Sequence, residues 1–358
     1  MPLQVIFRTH KYFIYKKLTS TATMTSLKGL KIILGAMPFG EGTGGRITSP
    51  TEVERIINLL FQHGHNEIDT ARMYTGGNSE KLLGSLNLSR TKYKIATKAF
   101  PFEPGMHSRT QIRTQFEASL TALNMTHVDS FYLHAPDHAT PFEDTLAEVQ
   151  AFYNENKFTE LGVSNYAAWE LTHLWHIAKQ NNYVLPTICQ AMYNPLTRSI
   201  EDELIPACRA LNISLYAYNP LCGGLLTGKY SYTSPPSEGR FGEHGQGDMY
   251  RSRFWKREYF AAIDIAKAAC DKEGISLVNA SHRWLMHHSQ LRAGVDGIVT
   301  AVSSYEQAVS NLKDYEDGPL PSTICDAFDE GWQLIKGVCP TYWRKHTGME
   351  AKAGGIKL

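Results

Sequence analysis

Asn66-Glu67-Ile68-Asp69-Thr70-Ala71-Arg72-Met73-Tyr74 is the stretch on which the reading of this chain turns: a short apolar strand ends on an acid, and a tyrosine follows five residues later. Two more strand ends downstream supply polar partners. Tyr93-Lys94-Ile95-Ala96-Thr97-Lys98 ends in a lysine, and Asp129-Ser130-Phe131-Tyr132-Leu133-His134 ends in a histidine.

Around this stretch one rhythm holds from residue 31 onward. Short β-branched runs alternate with longer amphipathic ones. The runs predicted as strands are Lys31 to Gly35, Asn66 to Asp69, Tyr93 to Lys98, Val128 to His134, Phe158 to Val163, Thr187 to Gln190, Ile213 to Tyr218 and Gly297 to Val302. Helices are predicted over Pro50 to His63 after the capping residues Thr48-Ser49, and over Ser79 to Gly84, Arg109 to Leu123, Pro141 to Asn154, Ala167 to Lys179, Glu201 to Leu211, Arg257 to Lys272 and Tyr305 to Asp314. Eight strands alternating with helices give parallel β/α units, and eight such units close into a (β/α)8 TIM barrel. Ser276 to His288 and Ser322 to Ile335 read as additional outer helices. Residues 231–256, rich in Gly, Pro and Ser, read as a long loop after strand seven with a functional purpose. An open doubly wound sheet is the competing fold, but Gly40-Glu41-Gly42-Thr43-Gly44-Gly45 leads into no helix, so it reads as a mobile loop over the barrel.

Composition narrows the function. With 36 basic and 35 acidic residues among 358, the formal charge is +1, which gives no bulk attraction to nucleic acid or to a membrane surface. No apolar run has the length of a membrane span. The six cysteines, 189, 208, 222, 270, 325 and 339, form no C-x-x-C pair and no zinc-ligand spacing, so a reducing compartment and no bound metal are expected. Residues 1–26 hold Arg8, Lys11, Lys16 and Lys17 and no acid, the first acid being Glu41. They form a leader. It is a disordered leader or an upstream start preceding Met24 in a cytoplasmic protein, or a mitochondrial transit peptide. One domain is read over 27–344, with a flexible tail over 345–358.

In a β/α barrel the active site lies at the C-terminal ends of the strands, where Asp69, Lys98 and His134 fall on strands two, three and four and Tyr74 on the loop after strand two. Each alone is more often a cap, a solvated charge or a core residue; on consecutive strands they make a catalytic group. Reducing a carbonyl requires a hydride on carbon and a proton on oxygen. A tyrosine has an ordinary pKa of about 10. A nearby lysine ammonium is expected to lower it, and a carboxylate to hold that lysine charged. A neutral histidine can orient the substrate oxygen. Tyr74 is then the general acid of reduction and the general base of the reverse reaction.

These segments, Glu67 to Tyr74, Ile95 to Lys98 and Phe131 to His134, resemble the Asp-Tyr-Lys-His tetrad of the aldo-keto reductases, and the chain is most similar to the aflatoxin-aldehyde reductase branch, from about Leu30 to Arg344. The resemblance implies an NADPH-dependent barrel. Gly162-Val163-Ser164-Asn165-Tyr166 resembles the family's pair that holds the nicotinamide carboxamide, with Gln190 as third partner and Tyr218 stacking on the ring. Asn219-Pro220-Leu221-Cys222-Gly223-Gly224-Leu225-Leu226-Thr227-Gly228-Lys229 resembles the loop around the pyrophosphate, where glycines let the backbone approach. It misses a phosphate-binding NTPase loop because Tyr230 stands where Ser or Thr is required. Val302 to Asn311 resembles the adenosine-phosphate site, with Ser303, Ser304, Gln307 and Asn311 at a helix start and Arg240 as a further contact; Ser310 stands where the family often has Glu. Met37, which is also counted among the cofactor contacts, and Trp255 are candidates for the pocket wall. Tyr250, Arg253 and Arg344 match substrate positions of that branch and suit dicarbonyl or acidic substrates, since guanidinium pairs with carboxylate bidentately. A homodimer is implied as well. Two rival readings stand beside this one. The first is a cofactor-sensing regulatory subunit of a potassium channel with little turnover, a role some members of the superfamily have. The second is a metal-dependent barrel hydrolase using His134 and Asp69, which predicts a His-x-His after strand one; Leu34-Gly35-Ala36-Met37 has none.

Overall fold

A computed structural model describes residues 29–89, 91–243 and 245–345. The leader over 1–26 and the tail past Lys345 lie outside the described residues. Among the described residues eight strands form a closed barrel in sequence order, every neighbouring pair parallel: β1 Lys31–Gly35, β2 Glu67–Asp69, β3 Lys94–Ala99, β4 Val128–Leu133, β5 Phe158–Ser164, β6 Pro186–Met192, β7 Ser214–Tyr218 and β8 Gly297–Thr300. The ring closes by β1 pairing with β8, Lys31 opposite Gly297. The expected (β/α)8 barrel is what forms.

The strands are buried on both faces, hence their near-continuous apolar character. Inside the barrel Ile33, Tyr132, Ile188, Tyr216 and Val299 pack on one another. The helices are α1 Pro50–Gln62, α2 Asn78–Ser85, α3 Arg109–Ala122, α4 Phe142–Asn154, α5 Ala168–Gln180, α6 Leu204–Ala210, α7 Gly245–Phe254, α8 Arg257–Glu273, α9 Leu277–His287, α10 Tyr305–Glu316 and α11 Ser322–Ile335, all but α7 surrounding the ring. Local chemistry sets their ends. Ser49 caps α1 by accepting from Glu52 N at 3.4 Å, ahead of Pro50. Asn124, Asn156, Asn182 and Asn212 take left-handed φ of 52–55° two residues past the ends of α3, α4, α5 and α6. Asn tolerates that region, so it ends four successive helices and turns the chain into the next strand.

One segment differs from expectation. The excursion at 231–256 is not all loop: it holds α7 and a single helical turn at Gly239–Phe241. Its Gly-, Ser- and Arg-rich sequence lacks an apolar stripe. Aromatic packing orders it instead, with Phe241 against Tyr230, Tyr250 and Trp255. The Gly40–Gly45 stretch is a pinched turn, closed at its base by Phe39 bridging Ile47 and by Gly40 N donating to Ile47 O at 2.9 Å. Additional helices α9 and α11 pack outside the ring as read, α11 lying so close on α8 that a Cβ at Gly331 would stand 3.1 Å from that of Ala262. No helix among the described residues is long and apolar enough to cross a membrane.

Candidate active site

The barrel's register delivers its polar residues to one mouth. Gly35 pairs with Asp69, Lys98 with Tyr132, Ser164 with Gln190 and Met192 with Tyr218, so these residues lie toward the C-terminal ends of their strands. His134 follows β4 directly, and Tyr74 opens a short helical turn, Tyr74–Gly77, after β2.

Lys98, with no exposed surface, is the hub. Its Nζ donates to Asp69 Oδ2 at 2.6 Å, to Thr70 O at 2.8 Å and to the Tyr74 hydroxyl at 3.3 Å. Asp69 Oδ1 accepts from Gln190 Nε2 at 2.7 Å. Burial pulls the Lys98 ammonium below its ordinary value, and Asp69 opposes that pull. Burial also pushes the Tyr74 phenol well above its ordinary value, and the charge of Asp69 adds to it. This is opposite to the lowering expected from Lys98. Enclosure disfavours phenolate more than the ammonium favours it, so Tyr74 keeps its proton.

The His134 ring stands edge-on to Tyr74, centroids 5.7 Å apart, and to Phe100 at 5.3 Å. Burial first, then the Lys98 charge, holds its imidazole well below the ordinary histidine value, so it is neutral. Its Nδ1 is buried without a hydrogen-bond partner. An orphaned acceptor is cheaper than an orphaned N–H, which favours the tautomer with its proton on Nε2, open to the pocket.

These groups line a cavity of about 470 Å³, within the range of about 300–1,000 Å³ usual for small-molecule sites. Met37, Asp69, Ser164, Asn165, Gln190, Tyr218, Tyr250, Arg253 and Arg344 share its wall with Tyr74 and His134. Asn165 sits at φ 60° and is held in place: Nδ2 donates to His134 O at 2.9 Å and Ser164 Oγ at 3.0 Å, and Oδ1 accepts from the Tyr218 hydroxyl at 2.7 Å with a second lone pair left over. Arg344 is anchored at this wall. Its N donates to Asn165 O at 2.9 Å, its Nη1 to Pro101 O at 2.7 Å, and its guanidinium covers Phe100.

Other expected contacts lie outside this wall. Trp255 donates its Nε1 to Tyr232 O and packs on Tyr230, Phe241 and Phe260, so it belongs to the aromatic support of the excursion and not to the pocket. Cys222, Leu225 and Leu226 are buried in the core; the Cys222 Sγ donates to Asn194 Oδ1 at 3.0 Å, and burial pushes that thiol up to about 12. Those three can offer a ligand only backbone. Asn219 accepts from Gly223 N, and Gly224, at φ 103°, faces open space where a Cβ would meet nothing within 4 Å. Pro220, Leu221, Gly228 and Lys229 complete this turn beyond the wall; Arg240 lies over the Tyr250 ring. Ser303, Ser304, Gln307 and Asn311 sit at and beyond the N-terminus of α10, where Ser304 Oγ accepts from Gln307 N and Gln307 Oε1 accepts from Ser303 N and Oγ.

Sequence reasoning missed Met73, Phe100, Met192, Met249, Thr341, Tyr342 and Trp343, which also line the cavity. Phe100-Pro101-Phe102 directly after a strand-ending lysine was a visible signal for the first of the aromatics. Among the described residues no three His, Cys, Asp or Glu side chains converge as metal ligands.

A family model described as Aldo/keto reductase family matches residues 31–332. The human aflatoxin B1 aldehyde reductase member 2 is 43% identical over 87% of this chain and 89% of its own length. The human aldo-keto reductase family 7 member A3 is 42% identical over 87% and 96%. A fungal oxidoreductase, sirO of Leptosphaeria maculans, is 37% identical over 87% and 96%. The barrel, the polar cluster at its mouth and these similarities agree: the chain belongs to the aldo/keto reductase family of oxidoreductases.

Proposed function

We propose that this chain reduces aldehydes and activated ketones, dicarbonyls and acidic aldehydes among them, to alcohols with NADPH, and that Tyr74 is the acid. The observation that carries the reading is the Asp69–Lys98–Tyr74 chain of contacts at 2.6 and 3.3 Å ending in a pocket beside a neutral histidine. The amide and hydroxyl groups of Ser164, Asn165 and Gln190 with the Tyr218 ring suit a nicotinamide carboxamide, and the open backbone at Gly224 suits a close-approaching diphosphate, so the donor set fits the cofactor. When bound, NADPH supplies hydride. The chain's own residues do the rest. His134 Nε2–H orients the carbonyl oxygen. Tyr74 gives that oxygen its proton, and the Lys98 ammonium stabilises the phenolate left behind. Asp69 holds Lys98 in place and charged. In the reverse direction the same phenolate is the base. Relatives named as aldehyde reductases support this substrate class. Arg344 and Arg253 at the wall support acidic substrates. The reading extends to a cytoplasmic homodimer, the latter to be checked by light scattering.

The test is NADPH oxidation with 2-nitrobenzaldehyde and succinic semialdehyde by wild type and by Tyr74→Phe. Loss of about 10²–10⁴ in turnover with NADPH still bound is expected. Wild-type turnover in the variant would remove Tyr74 from the mechanism.

A further inference from the structure

Behind the pocket lies a second charged network that lines no part of it. Glu80, on α2, has no exposed surface. Its Oε2 stands 2.7 Å from Arg72 Nη1, a charge contact outside hydrogen-bond geometry, and its Oε1 accepts from Thr97 Oγ1 at 2.6 Å. Arg72 lies two residues before Tyr74. Its backbone N donates to Lys98 O at 3.2 Å, and its Nη1 to Ala118 O on α3 at 3.2 Å. The guanidinium crosses the turn where only glycine leaves room: a Cβ on Gly77 would fall 1.4 Å from Arg72 Nη2. One residue before Glu80, Ser79 Oγ bonds Thr70 Oγ1 at 2.8 Å and donates to Ala36 O at 2.7 Å. Thr70 O is itself an acceptor for Lys98 Nζ. The start of α2 thus grips both ends of the Thr70–Arg72 segment from which Tyr74 hangs.

We propose that Glu80 is a positioning residue for the reduction: paired with Arg72 it fixes the turn that carries Tyr74, and it stands as a second buried carboxylate behind Lys98. The proposal rests on the roles of Tyr74 and Lys98 given above. A buried acid held by one partly solvated arginine costs stability that an apolar residue would not, so structure alone gives little reason for it. The groups facing Glu80 are Arg72 from the β2–α2 turn, Lys98 and Thr97 from β3 and Ser119 from α3. Burial raises the Glu80 carboxyl, and Thr97, Arg72, Ser119 and Lys98 oppose that. In return the Glu80 charge, like that of Asp69, helps keep Lys98 protonated. Removing it therefore moves the loss of the Lys98 proton to lower pH.

The experiment is steady-state NADPH oxidation with 2-nitrobenzaldehyde from pH 6 to 10 by the full chain, wild type, Glu80→Gln, Glu80→Asp and Tyr74→Phe. For Glu80→Gln the expected result is a kcat about ten- to a hundredfold lower, KM for NADPH within about twofold, and the basic limb of kcat moved to lower pH. Glu80→Asp keeps the charge but not the reach: kcat falls and the limb stays. Wild-type kcat in Glu80→Gln overturns the proposal, and so does a lowered kcat with an unmoved limb, which is what scaffold alone would give. If Glu80→Gln does not fold, Glu80→Met takes its place with the same readouts: a lowered kcat with the limb moved to lower pH supports the role, and a wild-type kcat or an unmoved limb overturns it. Should Tyr74→Phe turn over normally, the failure lies in the reading of Tyr74, and the proposal falls with it.

Discussion

Asp69→Asn tests the hub most directly. Both Asp69 oxygens accept, from Lys98 Nζ at 2.6 Å and from Gln190 Nε2 at 2.7 Å. An amide of the same shape offers one acceptor and one donor, so one partner meets an N–H. Either way Lys98, with no exposed surface, loses the charge it is hydrogen-bonded to, and Glu80 alone remains to oppose its burial. Breaking a buried pair from one side costs about 3–5 kcal/mol. A second route caps that loss. Lys98 can shed its proton, which from an ordinary lysine pKa of about 10.4 costs about 5 kcal/mol at pH 7 and about 1.4 less for each pH unit above it. The sign follows from proton counting. In the variant the folded lysine is depressed relative to the unfolded chain, so the unfolded state binds more protons and stability rises with pH until the unfolded lysine titrates. Burial already pulls Lys98 this way in the wild type, with Asp69 opposing, so the wild type shares the trend more weakly. Urea unfolding followed by tryptophan fluorescence at pH 7 and pH 9.5 reads it out. The variant's midpoint should fall well below wild type at pH 7, and the gap should narrow at pH 9.5. Equal midpoints at pH 7, or a gap indifferent to pH, would refute the picture of an enclosed pair. Reductase turnover should drop at least about a hundredfold, since both position and charge of Lys98 are lost.

Because His134 is held neutral well below its ordinary pKa, the reduction rate should show no histidine titration between pH 5 and 8; a limb near 6.5 that disappears in His134→Asn would contradict this. Arg344→Gln should raise KM for succinic semialdehyde about 10- to 100-fold, the worth of a charge-assisted pair, while 2-nitrobenzaldehyde KM stays within about twofold. Equal effects on both would mean that the Arg344 side chain serves only to hold Pro101 and cover Phe100. Gly162→Ala would set a Cβ 2.3 Å from the Tyr132 ring, its neighbour across β4 and β5, and should cost about 1–3 kcal/mol in urea unfolding.

The strand ends were legible because each short strand-like run closes on an ionisable residue: Asp69, Lys98 and His134 all stand where the sequence puts them. Helix α7 was not, since Gly245–Phe254 has no apolar face and is ordered by Tyr250 packing on Phe241 and Phe254 on Tyr259. Glu80 drew no notice within the short helix predicted over Ser79 to Gly84. Its burial comes from α2 lying over Thr97, which no local spacing reveals. The direction of the Tyr74 shift had the same cause: side-chain chemistry names the neighbours, but enclosure decides which of them prevails. Thr341–Trp343 carried no local pattern and reached the pocket through tertiary contacts alone.

The pairing of Lys31 with Gly297 has a consequence in time. A ribosome adding roughly 5–20 residues per second needs on the order of 10–50 s to pass from one to the other. Throughout that interval the outer edge of β1 has no partner, and an unpaired apolar strand edge is a template for misassociation. Lys31, placed on that edge and later drawn to Glu67 and Tyr216, puts a charge there during the wait. Neutralising it should therefore lower the yield of folded protein during synthesis more than it lowers the stability of the finished barrel.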